Sequence, residues 1–488
     1  MDQAHPTNHR SGRRLKGAPA AATILAWEDD PDSGHPPVSC LAPQPETAPL
    51  AFAFPKPAVA AGRYGTQTAE FRYWVAVEAL RRGASFWASH SGPASWQPGP
   101  TLAVLLDEGM DLNAYYDRQA LNFFHGPGAG TGKMVYSGES ADVLCHEMGH
   151  AILDAIKPQL WGAASHEAAA FHESFGDMSA ILSALQVPSL REEVLAETGG
   201  NLARNSRLSR LAEQLGNAIR ARSPDAVDPD CLRNAANSFV YQDPMRLPAR
   251  APATQLSSEP HSFSRVFTGA FLEGLAGMAA ARAASPDQMK EADLLAAAGD
   301  MADILVAGVM HAAVVPNFYA QVAASMVTAG AAHHPAYSGV LRAAFVRRAI
   351  LSLHSAADVQ ALHASAAAAM APAPAPDGRE PLETLALPAA HYGLDQPLLV
   401  EAPSQHRGTA PHAFAFLADR ALEPASSATA ARSFVDDLFR QGRVDYAGHG
   451  RPEARLEHGR RHKSHKLVAD GGVIRLHRCL FDCGLSHL

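Results

Sequence analysis

Residues 141–156 of the chain read ADVLCHEMGHAILDAI, and this stretch contains an HExxH pattern at residues 146–150. The run is apolar and its one helix-weakening residue is Gly149, so it is predicted to be a helix. Positions four residues apart lie on one face of a helix, which brings His146 and His150 together. Their imidazoles can bind one zinc ion, and Glu147 can hold a water molecule against it. The chain has 24 histidines, so a chance match is a real alternative unless further ligands are found.

A catalytic zinc site needs a third protein ligand and one open position. A third histidine six residues after His150 would complete one known pattern, but that residue is Ile156. The downstream segment HEAAAFHESFGDMSAIL offers Glu167 and Glu173 instead. We prefer Glu173, because Asp177 follows it by four residues on the same helix face. A carboxylate in that position can accept the ring N–H of a ligand histidine and fix its tautomer.

The remaining polar residues of the two segments have weaker claims to a role. Asp142 precedes His146 by four residues and could orient another ligand, or it could belong to a solvated helix face. Glu167 is expected in a loop or at the start of its helix. His172 is expected to point to another face than its neighbour Glu173, so it is not predicted to be a ligand.

Together these segments resemble the thermolysin-like zinc peptidases, a family of gluzincins with HExxH on one helix and a glutamate on the next. Four other stretches resemble that family, and the resemblance covers residues 64–355. They are AYYDRQALNFF (114–124), MVYSGESADVLCHE (134–147), CLRNAANSFVYQDP (231–244) and PHSFSRVFTGAF (260–271). The resemblance implies an α+β, two-lobed zincin fold. A β-containing N-terminal lobe would precede the active-site helix, and a mainly α-helical C-terminal lobe would follow it.

The resemblance also implies a role for each matched residue at the metal. His146, His150 and Glu173 would be the ligands of one zinc ion. Glu147 would be the general base that takes a proton from the zinc-bound water. Asp177 would accept a hydrogen bond from a ligand histidine and so orient its ring.

On the substrate side, the resemblance implies that His261 donates a hydrogen bond to the tetrahedral oxyanion and that Arg233 binds a substrate carbonyl. From its position after a proline alone, His261 could instead be a helix-capping residue. The tyrosine that normally assists the oxyanion is replaced by Trp161, whose indole N–H is a donor only. The aspartate that orients the histidine is replaced by Leu256, and Glu259 is the nearby candidate to serve instead.

Two further departures from the family concern the substrate strand and calcium. The Asn-Ala-aromatic edge strand that pairs with substrate is not recognised, because the stretch between Phe124 and Met134 is short and rich in glycine. An acidic position used for calcium in the family is Ala184 here. Calcium is therefore not expected as a cofactor.

Composition narrows the classes of function and location. The net charge of −8 argues against nucleic-acid binding. No run of eighteen apolar residues exists, so no membrane-spanning helix is predicted. The five cysteines form an odd and sparse set that does not indicate a disulfide framework. The N-terminus makes a poor signal peptide, which favours a cytoplasmic location over secretion.

The chain divides by composition into five parts. They are a flexible segment (1–60), the N-terminal lobe with the zinc site (61–190), a helical lobe (191–360), a Pro/Ala-rich linker (361–410) and a small α/β accessory region (411–488). The last part includes a helix, ATAARSFVDDLFRQG, and a β-hairpin predicted to turn at Asp470-Gly471. Its Cys479 and Cys483 match no strong zinc-binding spacing.

Two functions follow from these observations. The first is a zinc metalloendopeptidase that hydrolyses a peptide or protein substrate. The second is a non-catalytic or narrowly specific zinc-binding protein that retains the peptidase fold. The altered positions Trp161 and Leu256 favour the second, and Glu147 favours the first, because a structural zinc site has no use for an acid there.

Overall fold

The computed structural model of the protein describes residues 22–46, 50–55, 57–130, 132–285, 288–366, 382–405, 412–415, 420–449 and 463–483. In this part of the chain the fold is mixed α+β. The helices are α1 (Ala69–Ser89), α2 (Ala141–Ile156), α3 (Gln159–Gly162), α4 (His166–Ala184), α5 (Pro188–Thr198), α6 (Glu213–Arg220), α7 (Pro260–Arg282), α8 (Glu291–His311), α9 (Phe318–His333), α10 (Tyr337–Arg347), α11 (Leu353–Ala366) and α12 (Ser427–Arg440).

The strands are short and fall into two five-stranded sheets and several two-stranded ones. They are β1 (Thr23–Ala26), β2 (Val38–Leu41), β3 (Ala51–Ala53), β4 (Thr101–Leu105), β5 (Ala114–Tyr116), β6 (Ala120–Phe123), β7 (His125–Pro127), β8 (Met134–Tyr136), β9 (Arg210–Leu211), β10 (Arg233–Asn234), β11 (Glu383–Leu387), β12 (Leu398–Ala402), β13 (Phe414–Ala415), β14 (Arg420–Ala421), β15 (Val444–Asp445), β16 (His465–Asp470), β17 (Val473–Arg478) and β18 (Phe481–Asp482). The first sheet has the order β18-β5-β6-β4-β3 and the second has the order β11-β12-β17-β16-β15.

Helix α2 carries the HExxH pattern and forms as its sequence predicts. The hydroxyl of Ser140 caps its first turn by accepting from the backbone N–H of Val143. The helix packs against α4 with almost no space between the two backbones. A Cβ atom on Gly149 would lie only 2.9 Å from Cα of Gly176 on α4. This glycine contact lets the two helices approach closely enough to place their side chains around one point.

Helices α4 and α7 complete the frame around that point. All residues of α4 are buried, and it packs against α2 on one side and α7 on the other. Helix α7 begins at Pro260, a favoured residue for the first helical position. Glu259 caps it by accepting from the N–H of Ser262 at 3.0 Å. The first turn of α7 therefore presents His261 toward α4.

The segment predicted to be flexible, residues 1–60, contains ordered structure in its described part. β1 and β2 form an antiparallel hairpin, and β3 pairs with β4 of the first sheet. Asp29, which follows β1, is buried and accepts a hydrogen bond from Arg207 at 2.9 Å. These strands have three or four residues, too few to show an alternating pattern in the sequence.

The linker predicted for residues 361–410 is also shorter than expected. β11 and β12 lie inside that range and belong to the second sheet. Together with α12 this sheet forms a second hydrophobic core, separate from the main one. The predicted β-hairpin is confirmed, since β16 pairs with β17, but Asp470 opposes Val473 and the turn lies one residue later than predicted, at Gly471-Gly472. The accessory domain therefore begins at β11, before the boundary that composition suggested.

The accessory domain contacts the segment between α2 and α4 directly. The backbone N–H of Ala164 donates to Glu401 O at 2.7 Å, and Nε of Arg478 donates to the carbonyl of Trp161 at 2.9 Å. Beyond Arg478 the chain leaves the second sheet and enters the first one as β18. One strand at the end of the described chain thus completes the sheet beside helix α2.

Helix α8 is long and apolar enough to cross a membrane by length and composition alone. It packs against α7 and α9, and 61% of its most apolar window is buried inside the protein. Those are the contacts of a core helix.

Candidate metal centre

The imidazole ring of His146 is oriented by a contact at its Nδ1. Its Nδ1 lies 3.0 Å from Oδ1 of Asp177, as expected for an N–H that donates to a carboxylate. Burial alone would raise the pKa of Asp177, but Arg233 and His146 lower it to about 2, so the carboxylate stays charged. With Nδ1 carrying the proton, Nε2 of His146 offers a lone pair on the opposite side of the ring.

His150 is held by a residue that the sequence did not indicate. Its Nδ1 lies 3.4 Å from Nδ1 of His172, so one ring donates to the other. Burial lowers the pKa of both histidines well below the usual value, so both are neutral. His172 is adjacent to Glu173 on α4, but its contact with α2 depends on how the helices cross. That crossing could not be read from the sequence.

The third predicted ligand, Glu173, faces both histidines. Its Oε2 lies 3.4 Å from Nε2 of His146, and its Oε1 lies 3.8 Å from Nε2 of His150. Possible ligand atoms of His146, Glu147 and His150 lie within 4.8 Å of one another. The structure thus brings together the four residues predicted for the metal and its base.

Several buried polar atoms at this point lack a hydrogen-bond partner among the described residues. They are Nε2 of His146, Nε2 of His150, Oε2 of Glu173 and both carboxylate oxygens of Glu147. A buried polar atom without a partner costs about 1–3 kcal/mol, and several converging on one point are rare in proteins. A cation bound by the two histidines and Glu173 would remove that cost. Two imidazole nitrogens and one carboxylate are a ligand set that suits zinc.

Glu147 is fully buried beside the ligands. Burial raises the pKa of Glu147 to about 8, and the neighbouring Glu173 adds to this effect, whereas His146 and the Cys483 thiol oppose it. A carboxyl group whose pKa lies near neutrality can both accept and return a proton, as a general base requires.

His261, in the first turn of α7, lies beside Glu173. Its Nδ1 is 2.6 Å from Oε1 of Glu259, so Glu259 occupies the orienting position that Leu256 cannot fill. Burial alone would lower the pKa of His261, but Glu173 and Glu259 outweigh it and raise the pKa to about 10. His261 is therefore a charged donor whose Nε2 lies 3.4 Å from Oε2 of Glu173.

The other two substrate-side residues have partners within the protein. Arg233 donates from Nη2 to Asp177 at 2.8 Å, and its guanidinium also lies 3.3 Å from Nδ1 of His146. It therefore orders the residues behind the metal ligands, a role that its sequence position did not indicate. Trp161 donates its indole N–H to the carbonyl of Arg478 at 3.3 Å, so that donor is used by the accessory domain.

Asp142 does not orient a ligand histidine, contrary to one reading of its position. Its Oδ2 accepts from the backbone N–H of Ala212 at 3.0 Å. It belongs to a separate buried group with Asp30 and Glu213, whose carboxylate oxygens are close enough to hold a cation together. As the second residue of α2, Asp142 projects toward the segment before α6.

The edge strand that sequence comparison did not find is present as β5. Asn113 is buried directly before it, and the strand begins with Ala114 and Tyr115, which is the expected Asn-Ala-aromatic order. The stretch after Phe124, where a strand of this kind was expected, comes later in the chain than β5. β5 lies next to β18 and pairs with it antiparallel.

No protein-family model and no curated protein matches this chain.

Proposed function

We propose that the protein is a zinc-dependent metalloendopeptidase related to the thermolysin-like gluzincins. The observation that supports this most strongly is the set of buried, unpartnered atoms on His146, His150, Glu173 and Glu147. A purely structural zinc site would take a fourth protein ligand rather than place an acid beside the metal. The two-lobed thermolysin-like arrangement of the mixed α+β fold is part of the same proposal.

A zinc ion bound by these residues would polarise the scissile carbonyl and lower the pKa of a bound water toward neutrality. Glu147 would accept a proton from the attacking water and return it to the leaving amine. Asp177 keeps His146 in the tautomer whose Nε2 has a free lone pair, and Nε2 of His150 is equally free when Nδ1–H of His150 donates to His172.

His261 has the charge and the position to stabilise the developing oxyanion. Its Nε2 lies near Glu173, and Glu259 keeps it protonated. A fixed cationic donor costs no reorganisation when negative charge develops at the carbonyl oxygen. An extended peptide would pair with the side of β5 on which β18 now lies, and it would take the place of that strand in the sheet.

The proposal is tested by comparing the wild-type protein with the Glu147→Gln variant, both loaded with zinc. Metal analysis should find one zinc per chain in each, because Glu147 is not a ligand. Mass spectrometry of a digested peptide library should find cleavage by the wild type and none by the variant. Equal cleavage by the two proteins would contradict the role given to Glu147.

The alternative is a zinc-binding protein without peptidase activity. One observation favours it: Phe481 stacks on the rings of His150 and His172, with centroids 5.0 Å and 4.0 Å apart, and so covers the metal centre. A protein that binds one zinc but cleaves no peptide even after this cover is removed would belong to this second class.

A further inference from the structure

The last described residues of the chain run through the candidate active site. After Arg478 the backbone crosses to the first sheet, where Phe481 opposes Tyr116 and Asp482 opposes Tyr115. The backbone N–H of Cys483 donates to Ala114 O at 3.0 Å. This segment, residues 479–483, therefore uses the edge of β5 as an extended peptide would.

Phe481 fixes the segment above the metal ligands. Its ring lies nearly parallel to that of His172, at an interplanar angle of 19°, and it is 2% exposed. The guanidinium of Arg478 also lies over the Phe481 ring, 4.1 Å from its centroid.

Asp482 engages the proposed oxyanion donor through its backbone. Its carbonyl oxygen lies 2.5 Å from Nε2 of His261. Its carboxylate is buried and accepts from Arg443 of the accessory domain. A backbone carbonyl of this segment therefore already accepts the hydrogen bond that His261 is proposed to donate to the substrate.

Cys483 lies next to the proposed general base. Its side chain is buried and lines the same narrow cleft as His146 and Arg233. It interacts with the carboxyl of Glu147. One segment thus contacts the substrate-pairing strand, the oxyanion donor and the base.

We propose that residues 479–483 form an inhibitory strap that lies where substrate binds and must leave before a peptide can enter. The inference rests on the proposed function. Because the strap is part of the same chain, its effective concentration at the cleft is high, on the order of millimolar, even for a weak contact. A competing ligand gains its full affinity only in the fraction of molecules whose strap is open.

Two substitutions in the full-length, zinc-loaded protein separate the contacts of the strap. Phe481→Ala removes the ring that covers the histidines. Cys483→Pro removes the N–H that donates to Ala114, and Cys483→Ala is its matched control, because it removes the thiol but keeps that N–H. Leu476→Ala, in the accessory core, controls for a general loosening of the accessory domain.

The probe is a blocked dipeptide hydroxamate, whose binding is measured by calorimetry. We expect the hydroxamate to bind Phe481→Ala about 10- to 100-fold more tightly than wild type. Without the buried ring the strap is held less tightly, so it is open in a larger fraction of the molecules. Cys483→Pro should also bind more tightly than Cys483→Ala, and Leu476→Ala should match wild type. Hydrogen exchange of residues 481–483 should be slow in free wild type and fast once the hydroxamate is bound.

The outcomes distinguish the strap from the function. Equal hydroxamate affinity in wild type and Phe481→Ala, with residues 481–483 still protected in the complex, would overturn the strap while leaving a peptidase with an open cleft. Loss of residues 483–488 from zinc-loaded wild type, seen as a drop in intact mass, would show that the segment is a substrate and would also overturn it. If the protein binds no zinc, the proposed function is wrong and the strap falls with it.

Discussion

Replacing Gly176 by alanine should weaken zinc binding without touching any ligand. A Cβ atom at this position would lie 2.6 Å from Cε1 and Nδ1 of His146, where about 3.4 Å is needed for an ordinary contact. The ring of His146 or the whole of α4 must then move by several tenths of an ångström. That shift breaks the 3.0 Å contact between His146 and Asp177, which fixes the tautomer of the ligand.

The expected effect of Gly176→Ala is a loss of about 10- to 100-fold in zinc affinity, the range found when a group that orients a metal-bound histidine is removed. Overpacking should also lower the free energy of unfolding by about 1–3 kcal/mol. Zinc affinity is measured by competition with a chromophoric chelator, and unfolding by urea titration of the metal-free protein.

Gly339→Ala is the matched control for this prediction. Gly339 lies in α10, and a Cβ atom there would meet nothing within 4 Å. The control should leave zinc affinity unchanged and add up to about 1 kcal/mol of stability through its higher helix propensity. Zinc affinity equal to wild type in Gly176→Ala would refute the idea that the tight crossing of α2 and α4 positions the ligands.

Other predictions follow from single contacts. His172→Ala removes the ring beside His150 and should lower zinc affinity about 10-fold, as read by the same chelator competition. His261→Ala should retain zinc but lower kcat about 100- to 1000-fold in a peptide assay, and full activity would exclude it as the oxyanion donor. Burial raises the pKa of Asp30 to about 7 and that of Glu213 to about 10, so the folded protein holds these two protons more tightly than the unfolded chain does. The stability that this difference contributes is present below about pH 4 and is lost as the pH rises toward 10. Glu213→Gln should therefore flatten the fall of unfolding free energy between pH 6 and about pH 9, and an unchanged slope would contradict the assigned burial.

The residues around the metal could be predicted because local spacing determines them. Two histidines four residues apart share a helix face in any α-helix, and Glu173 and Asp177 do the same on the next one. The structure brings these residues together at one buried point. Their function as metal ligands stays a prediction.

Residues whose role depends on how elements cross could not be predicted. His172 meets His150 only because α2 and α4 approach at their glycines. Cys483 is distant in sequence from Glu147, and its spacing to other cysteines carried no signal. Contacts between remote segments depend on tertiary packing, which no local pattern encodes.

Strand β5 was not recognised from the sequence for a different reason. β5 has only three residues, and its sequence AYY was matched to a different stretch of the family. A strand this short has no recognisable alternation, so only its pairing with β6 and β18 identifies it.

The central claim is that His146, His150 and Glu173 hold one zinc ion. It is tested most directly by anomalous diffraction at the zinc absorption edge from crystals of the zinc-loaded wild-type protein. The account predicts a single anomalous peak between Nε2 of His146, Nε2 of His150 and the carboxylate of Glu173. A featureless map at that point in zinc-loaded crystals, or a peak only at the group of Asp30, Asp142 and Glu213, would contradict it.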